Sequence, residues 1–196
     1  MINSLLSARH RLIAAVAASA ISCVAMTAPA HAGGTLKIAM TASDVPTTTG
    51  MPNNGYEGMR FLGYPVFESL VLWDLSSADT LADIRPGLAE SWSQSETDAK
   101  VWTFKLRQGV TFHDGSAFNA DAVIWNLERY YNDKSEQFEP QGSAIVRARN
   151  PNLVSWKKID DFTLEMTTDR ELSYFPYLVV FVLNSSPAQW EAQGKD

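Results

Sequence analysis

Apolar and polar residues alternate in short runs along most of this chain, and the period of the alternation changes from run to run. Leu36, Ile38 and Met40 are set against Lys37 and Ala39, a period of two that predicts a strand over residues 35–41. A polar stretch from Ser43 to Gly50 and the sequence Met-Pro-Asn-Asn-Gly at Met51 to Gly55 predict an irregular loop. From Phe61 to Trp73 the chain is apolar and aromatic. Pro65 suits a first helical turn, and Val66, Phe67, Leu70 and Val71 recur at roughly helical spacing, which predicts a helix there. Ser76 to Thr80 reads as a turn.

The period of two returns at Ala89–Ser93 and Val101–Leu106, which predicts an antiparallel pair joined by the polar Ser95-Glu96-Thr97-Asp98. Trp102, Phe104 and Leu106 fall on one face of the second strand, and Thr103, Lys105 and Arg107 on the other. Gln108-Gly109 turns the chain into Val110-Thr111-Phe112, and Asp114-Gly115 supplies a second turn. Asn119 is placed to cap a helix with Asp121 in its first turn, where a negative charge suits the dipole. Val123, Leu127 and Tyr130 or Tyr131 make the apolar face of that helix. Glu136 to Pro140 reads as a polar connector, and Arg147-Ala148-Arg149-Asn150-Pro151 as a loop. Phe162 to Thr167 alternates as a strand behind an Asp160-Asp161 turn. Tyr174 to Leu183 predicts a buried helix starting near Pro176, and Ser186-Pro187 opens a short amphipathic segment ending at Asp196. There is no internal repeat and no low-complexity tract.

The first residues carry a different signal. Arg9 and Arg11 precede an apolar run from Leu12 to Met26, and Ala30-His31-Ala32 has the small-x-small pattern of a cleavage site. Residues 1–32 are therefore expected to be an export signal, cleaved near Ala32, with 33–196 as the mature part. Two other readings stay open: an uncleaved membrane anchor, and lipidation at Cys23 behind Ala20-Ile21-Ser22. Cleavage would remove two of the 16 basic residues and none of the 22 acidic ones, taking the net charge from −6 to −8. An acidic chain is a poor partner for nucleic acid or anionic membrane surfaces. Cys23 is the one cysteine of the chain, and His10 and His31 also lie in the signal, so His113 is the one mature histidine. Disulfides and zinc sites built from several thiolates or imidazoles are excluded for the mature part, and no cofactor is expected.

Four blocks in the middle of the chain carry a family pattern. Pro86, Leu88, Ala89 and Trp92 come first; then Trp102-Thr103-Phe104-Lys105-Leu106-Arg107; then Gly109 to Gly115; then Asn119-Ala120 and the helix through Leu127 and Arg129. In this order and spacing they resemble the N-terminal lobe signature of the peptide/nickel family of extracytoplasmic solute-binding proteins, which serve ABC importers. The chain departs from that pattern at Ala122, where relatives usually carry a second acid. The resemblance implies an α/β fold: the N-terminal part of lobe I of a two-lobed periplasmic binding protein, a mixed sheet with flanking helices. It implies a periplasmic, monomeric substrate-binding component, not an enzyme. Such a component captures an oligopeptide, a dipeptide or a related solute and delivers it to ABC permease subunits in the inner membrane. Glutathione, opines, sugars and nickel chelates are within the family's range. The Gly-rich block, second lobe and return strands of relatives have no counterpart in this sequence, so it is expected to be an N-terminal fragment. A non-functional truncated product is the alternative.

The resemblance also places a binding edge. The loop after the first strand borders the cleft of relatives, and open α/β sheets bind ligands beyond the C-terminal ends of their strands. Thr41, Ser43 and Asp44 are the expected ligand contacts, followed by Asn53, Asn54 and Tyr56. His113-Asp114 suggests catalysis but fits a structural turn better, because nothing in the sequence sets a nucleophile beside it. Glu90, Glu96, Asp98 and Asp114 read as a solvated acidic surface more readily than as a glycosidase pair. Arg85, Arg107 and Arg129 read as surface charges or packing contacts. No G-x-x-x-x-G-K-[ST] phosphate loop and no G-x-S-x-G elbow is present, which leaves an exported hydrolase as a remote alternative.

Overall fold

A computed structural model describes residues 34, 35, 37, 39 and 58–193. The chain divides into two units, Met1–Ile38 and Ala39–Asp196. In the first, the described Gly34, Thr35 and Lys37 are exposed. Every named element belongs to the second. The strand expected over residues 35–41 and the loop expected through Gly55 lie largely outside the described residues.

A π-helical turn, Met59–Gly63, leads into the single helical turn α1, Tyr64–Val66, with Pro65 in its first positions. Strands β1 (Glu68–Ser69), β2 (Val71–Asp74), β3 (Asp83–Pro86), β4 (Ala89–Gln94) and β5 (Val101–Leu106) follow. Next come α2 (Ala120–Tyr131), α3 (Pro140–Arg149), β6 (Leu153–Asp160), β7 (Thr163–Thr168), α4 (Phe175–Val179), β8 (Leu183–Asn184) and α5 (Pro187–Gln193). The principal sheet has the order β4-β5-β7-β6; β2 pairs with β3, and β1 with β8. All of these pairings are antiparallel. The α/β class stands, while the mixed sheet of the expectation is represented among the described residues by antiparallel pairs alone.

The β4–β5 hairpin forms where the alternation placed it. Trp92 faces Phe104, and Phe104 faces Leu164 on β7. Trp102, Phe104, Leu106, Leu164 and Met166 are buried on one side of the sheet. Against that side lie Val123, Leu127 and Tyr130 of α2 and Phe175 of α4, all in one core cluster. Phe175 meets Phe104 edge-on and Trp102 at a tilt. Each large apolar side chain buried here contributes about 1.5–3 kcal/mol relative to an exposed one. Helix α2 begins as expected: the Asn119 side chain accepts from Ala122 N at 3.0 Å. Its first turn is fixed to the β6–β7 turn by Ala120 N donating to Asp161 O at 2.9 Å and by Lys158 bridging Asp121 and Asp161 at 2.7 and 2.8 Å.

Four readings of the sequence need correction. The helix expected to open at Pro65 and cover Val66, Phe67, Leu70 and Val71 stops at Val66, and Phe67 is already extended. Leu70 O accepts from both Gly87 N and Ala89 N, and Ser69 O accepts from Leu88 N. These long-range bonds, with β2–β3 pairing, outweigh a local pattern that any short apolar run can mimic. Residues 147–149, expected in a loop, complete α3, which Pro140 opens and the Glu139 carboxylate caps by accepting from Gln141 N and Gly142 N. Strand β6 was not anticipated, because as an edge strand it leaves most of its residues exposed and its alternation is weak. The helix expected over Tyr174–Leu183 is one short piece, Phe175–Val179, followed by β8. Leu183 and Asn184 are taken up by pairing with Ser69 and Glu68.

Helix α5 is attached at its start to the distant Asp114-Gly115 turn. The Asp114 carboxylate accepts from Ser116 N at 2.8 Å, Ser116 Oγ at 2.6 Å and Ser186 Oγ at 2.5 Å. Ser186 Oγ in turn accepts from Gln189 N at 3.1 Å. The hydroxyls of Ser116 and Ser186, with the Ser116 amide, hold the Asp114 pKa down at about 2 from an ordinary 3.8. Because the folded pKa is depressed, this contribution to stability is present above about pH 4 and is lost as pH falls through about 2.

Two outcomes follow from these contacts. A Cβ on Gly87 would lie 2.6 Å from Ser69 O and 2.8 Å from Leu72 Cγ. Gly87→Ala is therefore expected to lower stability by about 1–3 kcal/mol, read as a fall in the urea midpoint. Asp114→Ala is expected to lower the thermal midpoint at pH 5 and to converge on the parent chain at pH 2. A gap that stays constant with pH would show that the carboxylate charge plays no part in holding α5.

Candidate functional site

A cavity of about 670 Å³ opens among the described residues, within the range of small-molecule sites. Three segments far apart in sequence enclose it: residues 64–68, the turn region 110–114, and residues 184–193. Leu72, Leu88, Phe118 and Arg129 complete the lining. Tyr64, Phe67, Phe112 and Trp190 give the walls an aromatic character, with Glu68, His113 and Asp114 among the polar lining residues.

The segment 183–186 is the part of this wall that the sequence did not reveal, and α2 holds it. Asn126 Nδ2 donates to Ser185 O at 2.8 Å, and Ser185 N donates back to Asn126 Oδ1 at 2.9 Å. One turn further on, Tyr130 Oη donates to Leu183 O at 2.8 Å. Asn126 and Tyr130 are fully buried, and burial pushes the Tyr130 hydroxyl far above its usual range. Each of these bonds replaces a water contact that the interior denies, so losing one leaves a buried polar group at a cost of about 1–3 kcal/mol.

Arg129 is 2% exposed and so is not the surface charge that its sequence context allowed. Burial lowers its pKa, opposed by Tyr130 and Glu139, and an arginine remains charged nonetheless. Its guanidinium carbon lies 5.6 Å from the centroid of Trp125, and Trp125 meets Trp190 edge-on at 5.7 Å. The stack carries α5 against α2. Arg107, by contrast, donates to Gly87 O through Nε and Nη2, a packing contact that fixes the close approach at Gly87.

Asn184, 4% exposed, lines the cavity where β1 meets β8. Its Nδ2 donates to Glu68 O at 3.0 Å and to Val182 O at 3.3 Å. Its Oδ1 is buried and, among the described residues, has no hydrogen-bond partner.

Ser186 donates its hydroxyl hydrogen to Asp114, whose pKa of about 2 makes it a poor proton acceptor. His113 is exposed. Among the described residues no group of three or more His, Cys, Asp or Glu is placed to hold a metal ion, and no helix is long and apolar enough to cross a membrane. Glu90 and Asp114 lie in different regions: Glu90 borders a shallow groove with Lys105 and Asp161, and Asp114 lines the cavity. The six expected contacts, Thr41, Ser43, Asp44, Asn53, Asn54 and Tyr56, lie outside the described residues.

Known proteins share both this sequence and this fold. The dipeptide-binding protein of Escherichia coli (strain K12) is 33% identical over 116 residues, 54% of this chain and 21% of the relative. The periplasmic oligopeptide-binding protein OppA of the same organism is 32% identical over 127 residues, 59% of this chain and 22% of the relative. This chain thus matches about a fifth of the length of those relatives. Among solved structures, HbpA2 from Haemophilus parasuis superposes with a TM-score of 0.55 at 29% identity, over 66% of this chain and 28% of that one. The periplasmic binding protein DppA from Helicobacter pylori, in complex with the peptide STSA, gives 0.58 at 22% identity, over 69% and 28%. The described elements are therefore part of a periplasmic-binding-protein fold. The family described as bacterial extracellular solute-binding proteins, family 5, matches residues 83–196 in its middle region, and the chain belongs to that family.

Proposed function

We propose that the whole protein is the extracytoplasmic substrate-binding component of an ABC importer, and that its solute is a peptide or a peptide-like molecule. Family membership over residues 83–196 carries the reading. Two relatives named for dipeptide and oligopeptide binding support the peptide class, as does a cavity that combines aromatic walls with polar and charged side chains. In this reading the solute is held without bond-making. Two lobes close around it, driven by the higher affinity of the closed state, and the closed form docks on permease subunits of the inner membrane. The described elements belong to the first lobe, residues 1–32 direct export, and the mature protein works as a periplasmic monomer.

The loop after residues 35–41 forms the edge of the binding cleft in this proposal. Thr41, Ser43 and Asp44 contact the solute, with Asn53, Asn54 and Tyr56 beside them. Asp44 supplies the charge that an ammonium group of a peptide would meet.

The test is thermal unfolding of the full chain with a panel of dipeptides to pentapeptides, with glutathione included. A binding peptide at about a hundred times its Kd adds about 2.7 kcal/mol and raises the midpoint. Asp44→Ala is expected to weaken that peptide at least about tenfold, a loss of about 1.4 kcal/mol. A panel in which no member moves the midpoint would reject the peptide class.

A further inference from the structure

Asp114-Gly115 is the one Asp-Gly step in the sequence, and such a step can rearrange its own main chain. Glycine has no side chain to shield its amide nitrogen. That nitrogen can bond to Asp114 Cγ and close a five-membered imide, while the carboxyl hydroxyl leaves with the amide hydrogen as water. Water then reopens the ring. Addition at Cγ restores aspartate. Addition at the Asp114 main-chain carbonyl leaves the chain running through Cβ and Cγ, an isoaspartate of unchanged mass. The reaction needs a protonated carboxyl that is free to turn and a glycine nitrogen that is free to attack.

The folded turn denies each requirement. Gly115 N donates to Phe112 O at 2.9 Å. Asp114 Oδ1 accepts from Ser116 N at 2.8 Å and from Ser116 Oγ at 2.6 Å, and Oδ2 accepts from Ser186 Oγ at 2.5 Å. These bonds fix the carboxyl and favour its charged form, which has no hydroxyl to lose. Two of the three donors belong to Ser116 and travel with the turn. The third comes from 72 residues further along the chain, at the start of α5, a helix with no buried residue. Asp114 is itself exposed, so no packing takes over when that bond opens. We propose that Asp114-Gly115 is a site of spontaneous isomerisation and that Ser186 is the residue that keeps it unreacted. The product also removes the protection. Its carboxylate sits directly on Cα, one carbon shorter, and the main chain is one carbon longer, so the reach to Ser186 is lost. The wall at residues 184–193 then loses its bond to the turn at 110–114, and the cavity ages without a cut in the chain. This holds whatever the solute is.

The experiment stores the full chain in mildly acidic buffer at physiological temperature and follows the tryptic peptide Gln108–Arg129 by chromatography and mass. Isoaspartate appears as a second peak of the same mass, placed at Asp114 by fragmentation. Deamidation of Asn119 or Asn126 in the same peptide adds mass and is told apart. The parent chain should isomerise at least about tenfold more slowly than the synthetic peptide of the same sequence. Ser186→Ala should speed the parent rate at least about threefold, the scale of losing a hydrogen bond to a charged acceptor, and Ser186→Thr, which keeps the hydroxyl, should stay within about twofold of the parent. Gly87→Ala is the reference for destabilisation alone, with Ser186 in place, and should age more slowly than Ser186→Ala. In the isomerised fraction the indole N–H signal of Trp190, assigned by its loss in Trp190→Phe, should shift. Four results would each overturn the proposal: a parent that reacts as fast as the peptide, a Ser186→Ala rate equal to the parent's, equal acceleration by Gly87→Ala, or an unmoved Trp190 signal after isomerisation. The first and last need no Ser186 variant to fold.

Discussion

The side-chain amide of Asn126 is where the scaffold and the cavity are joined. It lies on the buried face of α2, in the middle of an otherwise apolar pattern, and pairs in both directions with the Ser185 backbone. A side chain that mimics a backbone amide in this way turns a helix into the neighbour of an extended segment. Together with the bond from Tyr130 Oη to Leu183 O, it gives residues 183–186 a direction that apolar contacts do not carry. With it, Leu183 and Asn184 are placed to pair with Ser69 and Glu68, Ser186 is placed to reach Asp114, and α5 begins at a fixed point. Three of the walls of the cavity follow from that placement.

The sequence was most legible where one period ran long enough to be unambiguous. The β4–β5 hairpin and its buried Trp102-Phe104-Leu106 face are what the alternation dictates. The Asn119 cap and the Val123-Leu127-Tyr130 face of α2 follow equally from local chemistry. It was least legible at Phe61–Trp73 and Tyr174–Leu183. Both are short apolar runs, and in both a proline correctly marks a helical start. What ends those helices is pairing across the chain, Glu68 with Asn184 and Val71 with Pro86. Neither partner is visible from the other's sequence neighbourhood.

The candidate site was legible in a different and more limited sense. The family resemblance identified the class of protein and pointed to a loop, Thr41 to Tyr56, that lies outside the described residues. The cavity that is described includes His113, Asp114 and Arg129, which the sequence offers as turn, surface or packing residues, together with segments that no motif marks. Asn126 within Val-Ile-Trp-Asn-Leu-Glu-Arg and Asn184 within Phe-Val-Leu-Asn-Ser-Ser did carry a signal. Each is an amide inside an apolar stretch, and such a residue must find partners if it is buried. Asn126 finds partners for both its NH2 and its oxygen; Asn184 finds acceptors for its NH2, while among the described residues its oxygen meets no donor. The difference between them is invisible in sequence, because it depends on which carbonyls the β1–β8 pairing brings alongside.

Building a cavity from three distant segments has a thermodynamic consequence. Residues 64–68, 110–114 and 184–193 are joined through β1–β8 pairing, the Asp114–Ser186 bond and the Trp125–Trp190 contact, not through chain connectivity. None of α5 is buried, so its position depends on contacts at its two faces rather than on a core of its own. A solute touching all three segments would stabilise each against the others, and its binding free energy would appear as folding free energy of the cavity walls. Such a site reports occupancy through its own rigidity. In a protein whose proposed task is to capture a solute for delivery to a membrane permease, that coupling requires no device beyond the walls themselves.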